Sequence, residues 1–290
     1  MTEYKVVHTT EYSGTSPVSV CHNQAWLRPR ATQSQTIEDY DLQITPRPSS
    51  LNWRTDTFGN GVVHLSFNEG YDKLVVRSES HVEVTARKWP ASGTPWEVVR
   101  EELRKRPAQD LPAYEFTFSS RLIRTSNELA DYAKQDFREG RSVIESLIDL
   151  TTRIHEDFEY DPRATTIATP VEHVLKHRKG VCQDFAHVQI AMLRSLGLPA
   201  RYVSGYVRTG NRSDRPDMIG ADASHAWLSC LDPAIGWIDA DPTNKTVTDD
   251  DHVTIAWGRD YSDVPPLRGV FVGGGKHSLK VGASVSPIGD

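Results

Sequence analysis

The sequence predicts an α+β protein, in which an N-terminal antiparallel β-sandwich precedes a core of helices packed on a second antiparallel sheet. From residue 5 to about residue 86, polar and apolar residues alternate in short runs, which is the period of half-buried strands. From about residue 125 apolar residues recur at helical spacing, and after residue 200 short apolar runs return between polar loops. A chain of 290 residues is long enough for two packed units.

The first third is predicted to consist of antiparallel strands joined by tight turns. Alternation is clearest at residues 41–45, 63–67 and 81–84. The turn residues Phe58-Gly59-Asn60-Gly61 stand directly before the second of these runs. Because glycine and asparagine tolerate positive φ, this segment is expected to form a hairpin connection.

Prolines interrupt the pattern between the two regions, at residues 90, 95, 107 and 112. We therefore predict a first domain at 1–87, a linker at 88–120 and a second domain at 121–290. The linker contains the basic triplet Arg104-Lys105-Arg106, which we interpret as a solvated turn and not as a binding patch.

Helices are predicted at the start of the second domain. Two capping-box spacings, Thr125 with Glu128 and Ser142 with Glu145, mark helix starts, and Pro170 marks a third. A further helix opens near Cys182 and carries apolar residues at helical spacing. These apolar residues are Phe185, Val188, Met192 and Leu196, and the helix is expected to stop at Gly197 and Pro199.

Composition excludes several classes of function. The formal net charge of -6 provides no basic field for nucleic acid. The first seven residues are polar and charged, and no segment has the apolar length of a membrane span, so we expect a cytoplasmic protein with no membrane partner. The three cysteines are widely spaced and form no CxxC pair, which argues against zinc and dithiol redox sites.

Cys182, His225 and Asp241 are the candidate catalytic residues. A thiol at the first turn of a helix feels the positive end of the helix dipole, which favours thiolate. His225 begins one predicted strand, and Asp241 ends another, so the two side chains can meet in one sheet. Asp239 competes with Asp241, because alternate residues of a strand share a face.

Four motifs carry a resemblance to the bacterial transglutaminase-like superfamily. They are Gly180-Val181-Cys182-Gln183-Asp184-Phe185-Ala186-His187, Ala200-Arg201-Tyr202-Val203-Ser204-Gly205-Tyr206, Ser224-His225-Ala226-Trp227 and Asp241-Pro242-Thr243. The segment from Gly258 to Tyr261 and the β-rich first third are also similar to that family. The resemblance implies a papain-like, transglutaminase-like catalytic domain and favours Asp241 over Asp239.

The resemblance further implies that Cys182 is acylated and passes the acyl group to water or to an amine, with no metal or other cofactor. We expect a peptide or protein substrate and hydrolysis as the outcome. The alternatives are a protein-glutamine transglutaminase with an amine acceptor and a non-catalytic binding scaffold.

Other polar residues receive structural interpretations. Asp184 and His187 lack the spacing of a zinc site and are expected to bond locally, while Cys21 and Cys230 are expected to be small buried side chains. The acidic run at 249–251 is predicted to be an exposed turn. Residues 259–261 and the polar stretch 209–222 are weaker candidates to line or cover the cleft.

Overall fold

The computed structural model describes residues 1–105, 111–208 and 224–288, and its architecture is α+β with antiparallel sheets, as predicted. The strands are β1 (Thr2–Ala25), β2 (Gln35–Thr45), β3 (Ser50–Thr55), β4 (Gly61–Phe67), β5 (Tyr71–Val84), β6 (Glu159–Tyr160), β7 (Lys179–Gly180), β8 (Ala200–Val207), β9 (His225–Asp232), β10 (Gly236–Asp241), β11 (Thr246–Val247), β12 (His252–Gly258), β13 (Leu267–Gly273) and β14 (His277–Pro287). The helices are α1 (Trp96–Lys105), α2 (Leu111–Glu115), α3 (Asn127–Ala133), α4 (Val143–Asp157), α5 (Val171–His177) and α6 (Cys182–Ser195).

The first sheet is organised around the long strand β1. Its N-terminal half lies between β5 and β14, and its C-terminal half lies between β4 and β13. A register shift between Ser13 and Val18 separates the two halves and lets the strand bend. The predicted sandwich of two sheets is therefore replaced by one continuous antiparallel sheet of seven strands.

This sheet has a core of its own. The members are apolar side chains from β1, β4 and β5 and the residues just after β1, namely Val18, Cys21, Ala25, Leu27, Val63, Leu65, Phe67, Leu74 and Val76. All the β1 members of this core come from its C-terminal half, whereas Tyr4 and Val6 of its N-terminal half belong to the main core, so the bend in β1 lets one strand serve both.

The C-terminal strands belong to this first sheet, although the predicted boundaries place them in the second domain. Tyr4 pairs with Pro287, and Cys21 pairs with Phe271. Periodicity within β13 and β14 identifies them as strands but contains no information about a partner more than two hundred residues away. The boundaries at residues 87 and 120 stay a prediction; the segment 88–120 contains the helices α1 and α2.

The second sheet has the strand order β11-β10-β9-β8-β12, and α6 packs against β8 and β9. Most of α6 is buried, from Asp184 to Arg194. The buried cation Arg194 donates hydrogen bonds to the carbonyl oxygens of Ala200, Phe118 and Arg259. These bonds fix the C-terminal half of α6 relative to β8, and so fix the height at which Cys182 meets the sheet.

The predicted helix starts are confirmed at two positions and shifted at the third. Ser142 and Glu145 form the capping box of α4, and Pro170 precedes α5. The start predicted at Thr125 is wrong by one residue, because the side chain of Ser126 accepts the N–H of Leu129 and caps α3. Ser and Thr are both good caps, so their order in sequence does not decide which one is used.

The predicted hairpin at 58–61 is confirmed: it joins β3 to β4, with Gly59 at φ 78°. Part of the basic triplet, Arg106, and the proposed loop at 209–222 lie outside the described residues. In the part of the chain that the structure describes, no helix is long and apolar enough to cross a membrane.

Candidate active site

Cys182 is the first residue of α6 and is partly buried against the main core. Asp184 accepts the N–H of Val181 at 2.8 Å and the hydroxyl of Thr165 at 2.6 Å, which closes the start of the helix. A Cβ on Gly180 would lie 2.6 Å from this carboxylate. Gly180 is therefore needed for the close approach of Asp184, a reason that the sequence did not suggest.

His225 and Asp241 meet as predicted. Nε2 of His225 lies 2.8 Å from Oδ2 of Asp241, and both side chains are completely buried. Asp239 does not compete for this position, because it accepts the hydroxyl of Ser229 instead. The geometry therefore separates the two carboxylates that strand periodicity left open.

Asp241 is held by a wider set of donors than the sequence indicated. Its Oδ2 lies 2.7 Å from Nδ2 of Asn244 and 3.1 Å from Nε2 of His252. Its Oδ1 accepts the backbone N–H of Thr243 at 2.9 Å. Asn244 follows the Asp-Pro-Thr motif closely enough to be noticed in the sequence, whereas His252 comes from β12 and reaches Asp241 only through the fold.

His225, Asp241 and His252 shift one another's pKa values. Burial by itself lowers the pKa of His225, but Asp241 and, to a smaller extent, the Cys182 thiol raise it to about 10. Burial alone raises the pKa of Asp241, yet His225 and His252 hold it well below its ordinary value. Burial also lowers the pKa of His252, and its bonds with Asp241 and Asp249 raise it above the ordinary value.

Cys182 affects the pKa of the same imidazole as Asp241 does. Nδ1 of His225 is buried and has no partner of good hydrogen-bond geometry among the described residues. The Cys182 thiol is near enough to this ring to raise the pKa of His225, by less than Asp241 does. The carboxylate thus holds Nε2, and Nδ1 carries no hydrogen bond to another described residue.

Cys230 is the other cysteine near this sheet, and its environment opposes a nucleophilic role. It is completely buried, and burial together with Asp232 raises the pKa of its thiol. It lies on the same strand as His225 but five positions along, so the two side chains point to opposite faces, roughly 16 Å apart along the strand. Cys21 lies in the core of the first sheet.

Three of the buried groups could hold a metal ion. Within the described ranges, ligand atoms of His225, Asp241 and His252 lie within 4.8 Å of one another. The same atoms already join the two rings to the carboxylate by hydrogen bonds, and a metal would have to displace the protons that make those bonds. These hydrogen bonds to Asp241 account for the close packing of the three side chains.

The remaining candidate residues have structural partners. Asp184 caps α6 and so bonds locally as predicted, whereas His187 accepts the backbone N–H of the distant Tyr261 through Nε2 at 3.1 Å. Asp260 is buried and accepts the N–H of Leu122 at 2.8 Å, a packing role. The acidic run 249–251 is not the exposed turn we expected, because Asp251 is completely buried and accepts the hydroxyl of Tyr4 at 3.3 Å.

A helix that begins with cysteine, facing a sheet that supplies histidine and aspartate, defines the class, and the chain belongs to the transglutaminase-like superfamily. Residues 130–242 match the model of that superfamily, and residues 4–83 match the bacterial transglutaminase-like N-terminal region. The chain is 37% identical over 301 aligned residues to an uncharacterized protein of Mycobacterium tuberculosis, covering 98% of this chain and 93% of that protein.

Two further proteins are similar to all or part of this chain. The crystal structure of a candidate cysteine protease from Cytophaga hutchinsonii is similar with a TM-score of 0.75, covering 100% of this chain and 91% of that one. At 24% identity this likeness shows the shared fold. A protein-glutamine gamma-glutamyltransferase of Pseudomonas aeruginosa is 30% identical over 118 residues, which is 40% of this chain and 17% of that protein.

Proposed function

We propose that this protein is a thiol hydrolase that cleaves a peptide or amide bond, with Cys182 as nucleophile, His225 as acid and base, and Asp241 as the group that orients His225. The observation that carries the proposal is the buried His225–Asp241 pair, joined at 2.8 Å. The Cys182 thiol at the start of α6 also raises the pKa of His225. This combination supplies a nucleophile, its proton carrier and an orienting carboxylate.

The chemistry would proceed through a thioester. The Cys182 thiolate attacks the substrate carbonyl carbon, and His225 gives its proton to the departing amine as the carbon–nitrogen bond breaks. Water then attacks the thioester, His225 takes a proton from that water, and the acid leaves with the thiol restored. The N–H of Cys182, in the first turn where helix N–H groups lack intrahelical acceptors, is our candidate donor to the oxyanion.

Transfer to an amine is the second candidate, because it uses the same thioester. The local likeness to a protein named as a protein-glutamine gamma-glutamyltransferase favours it. We prefer hydrolysis, since water requires no dedicated acceptor site. The formal charge of -6 supports a peptide or protein substrate over nucleic acid.

The first experiment measures whether Cys182 is selectively reactive. The folded protein is treated with iodoacetamide at neutral pH, and peptide mass mapping reports alkylation at each of the three cysteines. We expect Cys182 to react much faster than the buried Cys21 and Cys230, and the His225→Ala variant to lose this advantage. Equal, slow alkylation of Cys182 in both proteins would exclude hydrolysis and amine transfer, and would leave the non-catalytic binding scaffold as the function.

The second experiment identifies the acceptor. Glutamine-containing peptides are incubated with the protein, with and without methylamine, and the product masses are read. Cleavage or deamidation that methylamine does not divert indicates hydrolysis, while methylamide products indicate transfer. The Cys182→Ala variant is the control and should give neither product.

A further inference from the structure

A cavity of about 400 Å³ is lined by residues of the second sheet and by the segment that leads into β2. Its wall on that side is residues 32–35, which the side chain of Gln35 fixes by accepting the N–H of Thr254 and donating to the carbonyl oxygen of Thr254, both at 2.8 Å. On the opposite side the cavity is lined by Arg201, Trp237 and Trp257. It therefore has ordered walls from both parts of the fold.

Arg201 is an unusual cation within this cavity. Its side chain is 8% exposed, and its guanidinium carbon lies 4.2 Å from the ring centre of Trp237 and 3.6 Å from that of Trp257. Among the described residues it makes no hydrogen bond or ion pair, and its Nε is buried without an acceptor. Burial lowers its pKa to about 9, so it stays charged at neutral pH.

A buried charge without hydrogen bonds is costly, and the indole rings offset only part of that cost. Asp239 lies near enough to attract Arg201 but forms no ion pair with it, since its carboxylate is bonded to Ser229. The guanidinium therefore presents N–H groups that have no hydrogen-bond acceptor among the described residues, and its Nε is buried beside the two indole rings.

We propose that this cavity binds the carboxylate of a small organic acid or of a peptide C-terminus, with Arg201 as its anchor. The indole contacts leave the edge of the guanidinium to recognise a ligand, and that edge matches the planar fork of a carboxylate. Asp239 and Asp249 also line the cavity, and their charges disfavour a dianion such as phosphate. Trp237 and Trp257 provide apolar surface for the body of the ligand.

None of the wall residues is Cys182, His225 or Asp241, although one of them, His252, is hydrogen-bonded to Asp241. Binding can therefore be measured without turnover. The tryptophans beside Arg201 make intrinsic fluorescence a direct readout, and calorimetry gives an independent affinity.

The test compares N-acetylalanine, which mimics a peptide C-terminus, with N-acetylalanine amide, acetate and inorganic phosphate on the full chain. We expect N-acetylalanine to bind and the matched neutral amide not to bind. Acetate binding as tightly as N-acetylalanine assigns the site to small acids, whereas weaker acetate binding assigns it to peptide ends. Tighter binding of phosphate, equal binding of the amide, or no carboxylate binding at millimolar concentration would overturn the proposal.

Variants locate the anchor. Arg201→Gln should weaken N-acetylalanine binding roughly tenfold to a hundredfold, because it removes a charged, bidentate donor. Gln33 is exposed at the cavity, so Gln33→Glu and Gln33→Lys change local charge without touching the core. We expect them to weaken and strengthen binding about twofold at low salt. Unchanged binding in a folded Arg201→Gln, or in both Gln33 variants if Arg201→Gln does not fold, rejects the site.

Discussion

Replacing Asp241 by asparagine tests how the candidate active site holds its charge. The carboxylate is completely buried and has its closest charged partner, Nε2 of His225, at 2.8 Å. Asparagine keeps the shape but removes the charge that raises the pKa of His225, so the effect of burial, which lowers that pKa, is no longer opposed. The His225 ring then loses its proton at neutral pH, and Cys182 loses its positive partner.

The magnitude follows from the burial of the pair. Removing one partner of a buried ion pair costs about 3 kcal/mol or more. An energy of about 3 kcal/mol corresponds to roughly a hundredfold in a protonation equilibrium. We therefore expect Asp241→Asn to slow the alkylation of Cys182 at pH 7 roughly a hundredfold, and to lower the free energy of unfolding by a similar energy.

The assay follows iodoacetamide alkylation at Cys182 by mass mapping, with denaturant unfolding measured on the same samples. Asp239→Asn is the matched control, because it neutralises a carboxylate on the same strand and face that bonds to Ser229 and not to His225. Wild-type alkylation rates in folded Asp241→Asn, or equal slowing in Asp239→Asn, would refute the reasoning.

Three further variants test other parts of the fold. Gly205→Ala should destabilise the protein by roughly 1–3 kcal/mol or more in denaturant unfolding, since its Cβ would lie 2.2 Å from the carbonyl oxygen of Val253 and 2.4 Å from the Trp227 ring; a cost under 0.5 kcal/mol would contradict the packing. Ser142→Ala should cost about 1 kcal/mol by loss of the α4 cap, and no loss would show that Glu145 caps the helix alone. Burial lowers the pKa of His8 to about 4, so from about pH 6.5 down to about 4 the unfolded chain binds a proton that the folded protein does not. The free energy of unfolding should therefore decrease as the pH is lowered through this window, by up to about 1.4 kcal/mol per pH unit for this residue. His8→Gln should show a shallower dependence on pH in thermal unfolding.

The sequence was most informative where chemistry and local structure coincide. The start of α6 at Cys182 follows from apolar spacing that ends in glycine and proline, and β8 spans 200–207 as its apolar run predicted. His225 and Asp241 stand at the ends of short runs whose strand character is local. Their meeting then requires only that β9 and β10 pair, which neighbouring strands usually do.

Features that depend on distant pairing could not be predicted. His252 lies in a buried strand whose residues show no alternation, and it reaches Asp241 because β12 pairs with β8. Arg201 was noticed only as part of a motif, since its burial between Trp237 and Trp257 depends on three separate strands. The single curled sheet likewise depends on partners of β1 that stand at the far end of the sequence.

The arrangement of β1 has a consequence for synthesis. The ribosome makes residues 2–25 long before their neighbours β13 and β14, which span Leu267–Gly273 and His277–Pro287. The N–H and C=O groups on one edge of β1 therefore stay unpaired until β13 and β14 have been synthesised. During that interval the unpaired edge of β1 is exposed to mispairing with other strands.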